Sequence, residues 1–218
     1  MFDQLKNLFQ NRRTARYVSY TAVSDDDTRQ LIEISKMSPS TDKLYAYNVY
    51  ALTNSKEGIA KKQELVEFAR CGPDSPGDSW EGKEINDSLL SGLVFYFTVT
   101  DPSIDTKNYH KSYLHRSPYK LKKYATIDAS INATMMMMAA ESMGYQTAFS
   151  AFISDCEASR KILTGDTTEE IILAMSVANP RPLTVPMSVI TTEFKNQRPF
   201  IVANKHASVY TTANIIVI

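Results

Sequence analysis

Three arginines and a threonine stand within five residues near the start of the chain, Arg12-Arg13-Thr14-Ala15-Arg16. In an extended segment side chains alternate, so Arg12, Thr14 and Arg16 would share one face. Two guanidiniums and a hydroxyl on one face suit a phosphate or another anion, because guanidinium offers a planar fork of donors and keeps its charge. Read alone, the run is more often a solvated basic turn with surface ion pairs. Three further stretches raise the same question. Ser38-Pro39-Ser40-Thr41 is either a plain helix stop or a ligand-facing loop. Lys195-Asn196-Gln197-Arg198-Pro199 offers a late cationic pair or a polar turn. Gly144-Tyr145-Gln146-Thr147-Ala148-Phe149-Ser150 reads as a capped helix running into a buried strand.

The elements that would position these groups can be read from periodicity. Phe2, Leu5, Leu8 and Phe9 predict a short first helix. Ser24, followed by Asp25, Asp26 and Asp27, is a helix start, since a serine caps free N–H groups and carboxylates suit the positive end of the dipole. That helix ends at Ser38-Pro39-Ser40. Residues 47–52 predict a strand, and Ser55 caps a helix reaching about residue 69. Residues 71–82 read as a loop and 85–90 as a short helix. Residues 93–99 are aromatic, β-branched and apolar almost throughout, as in an interior strand. Residues 119–143 predict the longest helix, with Tyr124, Ile127, Ile131, Met135 and Met138 as its apolar side, a buried methionine run, and Gly144 beyond its end. Extended chain over 145–152, a helix capped by Ser154 or Asp155, and strands at 171–177 and 185–192 follow. The uneven mix of helices and strands favours one α+β domain.

Composition excludes several classes. The chain has 218 residues with 24 basic and 24 acidic side chains, 43% hydrophobic and 22% charged. That balance argues against a nucleic-acid partner. The two cysteines, Cys71 and Cys156, have no zinc spacing, and His110 and His115 are five apart, so no metal is expected. Residues 1–10 lack the apolar core of a signal peptide, and no apolar run reaches bilayer length, which predicts a cytoplasmic protein without a membrane partner. No Ser-His-Asp or Cys-His arrangement is evident. Basic and aromatic residues interleave between Tyr109 and Tyr124. Such a segment can stack on single-stranded nucleic acid, but in a chain with no other basic surface it reads better as a surface helix or lid that could steer an anionic substrate.

The order of the motifs says more than any one of them. RRTARY, then SPS after an amphipathic helix, then a long helix running into MGYQTAF, an apolar strand ending in ANP, and finally KNQRP resembles the FMN-dependent nitroreductase family over about residues 10–200. The resemblance implies an α+β, nitroreductase-like fold with a central mixed or antiparallel sheet flanked by helices, in an intertwined homodimer. It implies a single FMN-binding domain over residues 1–218, with a C-terminal arm of about residues 200–218 packed on the partner subunit.

By the same resemblance Arg12 and Thr14 grip the FMN phosphate and ribityl chain, with Arg13 in the same stretch. Arg16 is the cation beside the pyrimidine end. Reduced flavin carries negative charge there, and a fixed cation stabilises it. Pro39, Ser40 and Thr41, with Lys43, match a loop reaching the flavin from the other subunit. Lys195 and Arg198 match a basic pair closing on the phosphate, Ser150 and Ala151 lie where a backbone N–H faces flavin N5, and Lys83 and Asn86 match polar contacts to the isoalloxazine edge. The implied activity is ping-pong hydride transfer from NAD(P)H through N5 to a small acceptor such as a nitroaromatic, a quinone or free flavin. Tyr45-Ala46-Tyr47 replaces the family's usual Gln-Pro-Trp, which leaves room for a different task such as enoate reduction or oxidation of a bound substrate. Ala151-Phe152 near N5 leaves room for a flavin binder without turnover.

Overall fold

The computed structural model describes residues 2–12, 21–41, 46–71, 89–90, 92–106, 109, 111, 114–150, 156–165 and 168–180. The chain divides into two units, Met1–Arg13 with Arg181–Ile218, and Thr14–Pro180. The described part of the first is helix α1 (Phe2–Asn11), followed by Arg12, whose N–H still donates to the Leu8 carbonyl at 2.9 Å. The expected strand at 185–192 and the C-terminal arm lie outside the described residues.

The second unit contains α2 (Asp25–Lys36), β1 (Tyr47–Leu52), α3 (Lys56–Cys71), β2 (Leu93–Thr100), α4 (Pro118–Ser142), β3 (Gln146–Ser150), α5 (Glu157–Thr164) and β4 (Glu169–Ala178). The four strands form one sheet in the order β1-β2-β4-β3, with every neighbouring pair antiparallel. Of the mixed and antiparallel alternatives, the described strands show the antiparallel one. Strand β2 is buried along its whole length because it lies between β1 and β4 and is covered on both faces. Leu93, Phe95, Phe97 and Val99 point to a core shared with Leu31 of α2 and with Leu121, Ala125, Ala129, Ala133, Met136 and Met137 of α4. Val94 and Tyr96 point to a second core with Leu65 and Val66 of α3 and Leu163 of α5. Strand alternation thus divides the unit into helix, sheet and helix layers.

The caps follow local chemistry. The Asp27 N–H donates to Ser24 Oγ at 3.1 Å at the start of α2. The Tyr145 hydroxyl donates to Asp27 at 2.6 Å, tying that start to the turn before β3; this bond, and then Ser24, hold the Asp27 carboxyl below its ordinary range. Gly144, at φ 90°, supplies the left-handed step after α4. The cap of α5 corrects the sequence reading. It is Cys156 rather than Ser154 or Asp155: the Ser159 N–H donates to Cys156 Sγ at 3.5 Å, and the Cys156 N–H donates back to Ser159 Oγ at 3.0 Å. The reciprocal bond from the Cys156 N–H to Ser159 Oγ completes a box around a weak sulfur acceptor.

The orientation of α4 is a second correction. Its buried line runs through Leu121, Ala125, Asp128, Ala129, Asn132, Ala133, Met136, Met137 and Ala140. Ile127 and Ile131, expected on the inner face, are exposed. Small alanines let the helix approach the sheet closely, so its bulky β-branched residues are left outside. Asn132, in an Asn-Ala-Thr triplet of the glycosylation type, is buried.

Two buried polar groups are compensated locally. Glu169, at the start of β4, accepts from Asn48, Tyr50 and Thr98, joining the ends of β1, β2 and β4. Lys62 of α3 is 2% exposed and donates to Asn54 at 2.7 Å. Burial pushes its ammonium down from 10.5 to about 8. Between those values the unfolded chain binds more protons at this residue than the folded one, so stability should rise with pH across that window. Denaturant unfolding at about pH 7.5 and about pH 10 should show the native chain gaining stability relative to Lys62→Met. Parallel behaviour of the two proteins would refute the linkage.

Candidate functional site

The connection from α2 to β1 is fastened to the inner face of α4. The Ser40 hydroxyl donates to Asp128 Oδ2 at 2.7 Å, and the Thr41 hydroxyl donates to Oδ1 at 2.8 Å. The Thr41 N–H donates to both carboxylate oxygens, at 3.0 and 2.9 Å. Asp128 is 1% exposed. A carboxylate is costly to bury unless donors replace its water, and the 40–41 segment supplies them. One turn further along, the Asn132 amide nitrogen donates to the Ser35 carbonyl and hydroxyl, both at 3.0 Å, and to the Tyr47 hydroxyl at 2.7 Å. Residues four apart share a helix face. Asn132 therefore holds the last turn of α2 and the first residue of β1, while Asp128 holds the middle of the connection.

The bonds to buried Asp128 turn the hydroxyls of Ser40 and Thr41 inward, while Pro39 is exposed and Ser38 buried. Ser150 is the last residue of β3. Its hydroxyl is buried and has no partner among the described residues. An unmade bond of this kind costs about 1–3 kcal/mol, which a polar ligand atom would offset. That orphan hydroxyl fits a ligand with a polar edge, such as a flavin.

Of the residues assigned to the cofactor from sequence, Arg12 belongs to the first unit, and Pro39, Ser40, Thr41 and Ser150 to the second. The structure brings Ser40 and Thr41 together on one carboxylate. Arg13, Thr14, Arg16, Lys43, Lys83, Asn86, Ala151, Lys195 and Arg198 lie outside the described residues. Asp128 and Asn132 are not among the sequence-derived candidates. Their signal is two polar residues four apart on the buried, alanine-rich face of α4.

Several described residues of the basic and aromatic segment between Tyr109 and Tyr124 are held by local contacts, while Leu114 and Tyr119 are exposed. The buried Tyr109 hydroxyl donates to the Thr100 carbonyl at 2.7 Å. Residues from Pro118 onward are already α4. Arg116 lies over the Tyr124 ring at 5.6 Å. Lys122 pairs with Glu170 at 2.6 Å and Asp101 at 3.4 Å. Partial burial works against its charge, but the bond to Glu170 and the two carboxylates outweigh it and raise the ammonium above its ordinary value. Tyr109 and Lys122 are thus held to the frame of the unit.

The nitroreductase family model matches residues 9–179, which hold the arginine run, the 38–41 connection, α4 and Ser150. The chain belongs to the nitroreductase family. Solved structures with the nitroreductase-like fold include the NADPH:FMN oxidoreductase from Vibrio harveyi complexed with NAD+, 13% identical at a TM-score of 0.63, over 95% of this chain and 91% of that one. A nitroreductase with bound FMN from Bacteroides fragilis is 14% identical at 0.60, over 84% of this chain and 91% of that one. An enone reductase of gut-bacterial fatty acid saturation metabolism is 16% identical at 0.61, over 88% and 96%. At these identities the likeness is one of fold. The comparison with curated proteins gives no match. Among the described residues no helix is long and apolar enough to cross a membrane.

Proposed function

We propose that this nitroreductase-family chain is an FMN-dependent oxidoreductase that takes a hydride from NAD(P)H and passes it to a small acceptor, working as a homodimer. The observation that carries the reading is the family match over residues 9–179, which spans the arginine run, the Asp128-held connection and the orphan Ser150 hydroxyl. Bound FMN would supply the redox centre. In this reading Arg12 and Thr14, with Arg13 beside them, hold its phosphate and ribityl chain, and Lys195 and Arg198 close on the phosphate. Arg16 stabilises the negative charge of the reduced ring without transferring a proton. Pro39, Ser40 and Thr41, with Lys43, pack on the flavin of the partner subunit. Lys83 and Asn86 contact the ring edge. Ser150 and Ala151 lie at the N5 side, and the buried Ser150 hydroxyl is available to a polar atom there.

The dimer has a physical motive in the outer face of α4. Ile127 is 43% exposed and Ile131 is 39% exposed, one turn apart on a helix whose other face is fully used. A homodimer would cover them, and the C-terminal arm from about residue 200 would reinforce it.

The same fold carries an enone reductase as well as an NADPH:FMN oxidoreductase. The acceptor is therefore decided by the residues around the ring rather than by the fold. The visible spectrum of the purified protein, before and after anaerobic NADH or NADPH, tests the reading. Flavin bands that bleach are the expected result, and reoxidation by a nitroaromatic, a quinone or an enone then identifies the acceptor class. Bands that persist with both nicotinamides would leave a binder without turnover. Absence of flavin after reconstitution with FMN would overturn the proposal.

A further inference from the structure

We propose that Asp128 is a positioning residue for the cofactor site: from the inner face of α4 it sets the conformation in which residues 38–41 meet FMN. The inference rests on the proposed function, because it takes from that reading the flavin-facing role of the segment. The rest is geometry. Asp128 accepts hydrogen bonds from Ser40 and Thr41, two neighbouring residues 88 and 87 positions away in sequence. The flanks of the connection are held separately by Asn132, through Ser35 and Tyr47. Loss of the Asp128 carboxylate would therefore release the middle of the connection and leave its ends in place.

The device suits a ligand-facing loop. A loop that must present a fixed surface loses affinity in proportion to the freedom it gives up on binding, and a clamp removes that freedom beforehand. Helix α4 is a stiff support, 25 residues long and packed on the sheet. The Thr41 N–H lies within 3.0 Å of both carboxylate oxygens, which fixes the backbone as well as the side chains. With both hydroxyls turned inward, the segment is left to meet a ligand through its backbone and Pro39. Neither Ser40 nor Thr41 need touch the flavin through its hydroxyl.

The test measures FMN affinity by quenching of flavin fluorescence, with thermal unfolding of the FMN-free protein recorded beside it. Asp128→Ala should weaken FMN binding about tenfold or more, which corresponds to about 1.4 kcal/mol. Asp128→Asn should recover most of that loss. Its carbonyl oxygen can accept from the Thr41 N–H and one hydroxyl while its amide donates to the other, since hydroxyls both give and take hydrogen bonds. A merely structural carboxylate would move the FMN-free melting curve and leave the affinity of the folded fraction unchanged. If Asp128→Ala fails to fold, Thr41→Val decides. It removes one donor to Asp128, and it should weaken FMN about threefold in the native background and by less in Asp128→Asn, where the bond it removes runs to a neutral amide and is weaker, because contacting residues are coupled. Native-strength binding by a folded Asp128→Ala, or by Thr41→Val, would overturn the inference and leave the proposed function intact. A native protein that does not bind FMN would remove the proposed function and the inference together.

Discussion

Phe97→Ala is expected to lower stability by about 3–5 kcal/mol, the usual cost of truncating a buried aromatic. For a chain of this size that is roughly 6–20 °C in melting temperature. Phe97 sits in the middle of β2, fully buried, paired with Val49 of β1 and Leu173 of β4. Its core faces α4, which contributes Ala125, Ala129 and Ala133. Alanine has no rotamers with which to fill the space a lost ring leaves, and the helix cannot sink further without breaking its contacts with the rest of the sheet. The void therefore persists, and persistent voids give the upper part of the range. Phe149→Ala is the matched control: it lies on the edge strand β3 and is 43% exposed, so it should cost a fraction of that amount. Urea unfolding of both variants checks the pair. A Phe97→Ala loss below about 1 kcal/mol would mean that the two layers do not pack as described.

Much of the frame was legible before any coordinates, for reasons particular to each element. Strand β2 announced itself because a strand covered on both faces has no need of alternation. Helix α2 was legible through its start, where Ser24 and the three following carboxylates leave little alternative to a cap. Helix α4 was legible in extent but not in orientation. Hydrophobicity marks the face that wants to leave water, and on α4 two isoleucines, Ile127 and Ile131, face out, while the inner face mixes alanines with Leu121, Met136 and Met137. A periodicity argument over Tyr124, Ile127, Ile131, Met135 and Met138 therefore draws its stripe across a boundary: Tyr124 and Met138 pack against the core, and Ile127 and Ile131 face out. Cys156 escaped as a cap because sulfur is a weak acceptor, and only its exchange of bonds with Ser159 makes the cap work.

The cofactor motifs were legible as an order of short strings, which is information about family rather than geometry. What joins Ser40 and Thr41 to the helix 87 positions later is a carboxylate that sequence presents as one more acidic residue. Its chemistry emerges only once folding has excluded water from it. The polar pair Asp128 and Asn132, four apart among the alanines of α4, is a pattern the sequence contains, but their burial and their partners come only with the fold.

The outward face of α4 also carries the second large expectation, Ile127→Glu combined with Ile131→Glu. Both side chains are exposed in the single chain, so the double variant should still fold as a monomer, with native secondary structure by circular dichroism and a melting temperature lowered only by the loss of association. In the proposed dimer the same two side chains are covered. Burying two carboxylates without partners should then weaken association about a thousandfold or more, which corresponds to about 4 kcal/mol. Sedimentation equilibrium at micromolar concentration should show a dimer for the native chain and a monomer for the variant. FMN should be lost along with the dimer, because residues 39–41 are proposed to complete the partner's flavin site, and a clamp on Asp128 cannot help a flavin that its loop no longer reaches. A variant that stays dimeric with unchanged affinity would place the interface elsewhere. A monomer that still retains FMN at native strength would return residues 39–41 to the flavin of their own subunit, and the inward turn of Ser40 and Thr41 would then matter within one chain.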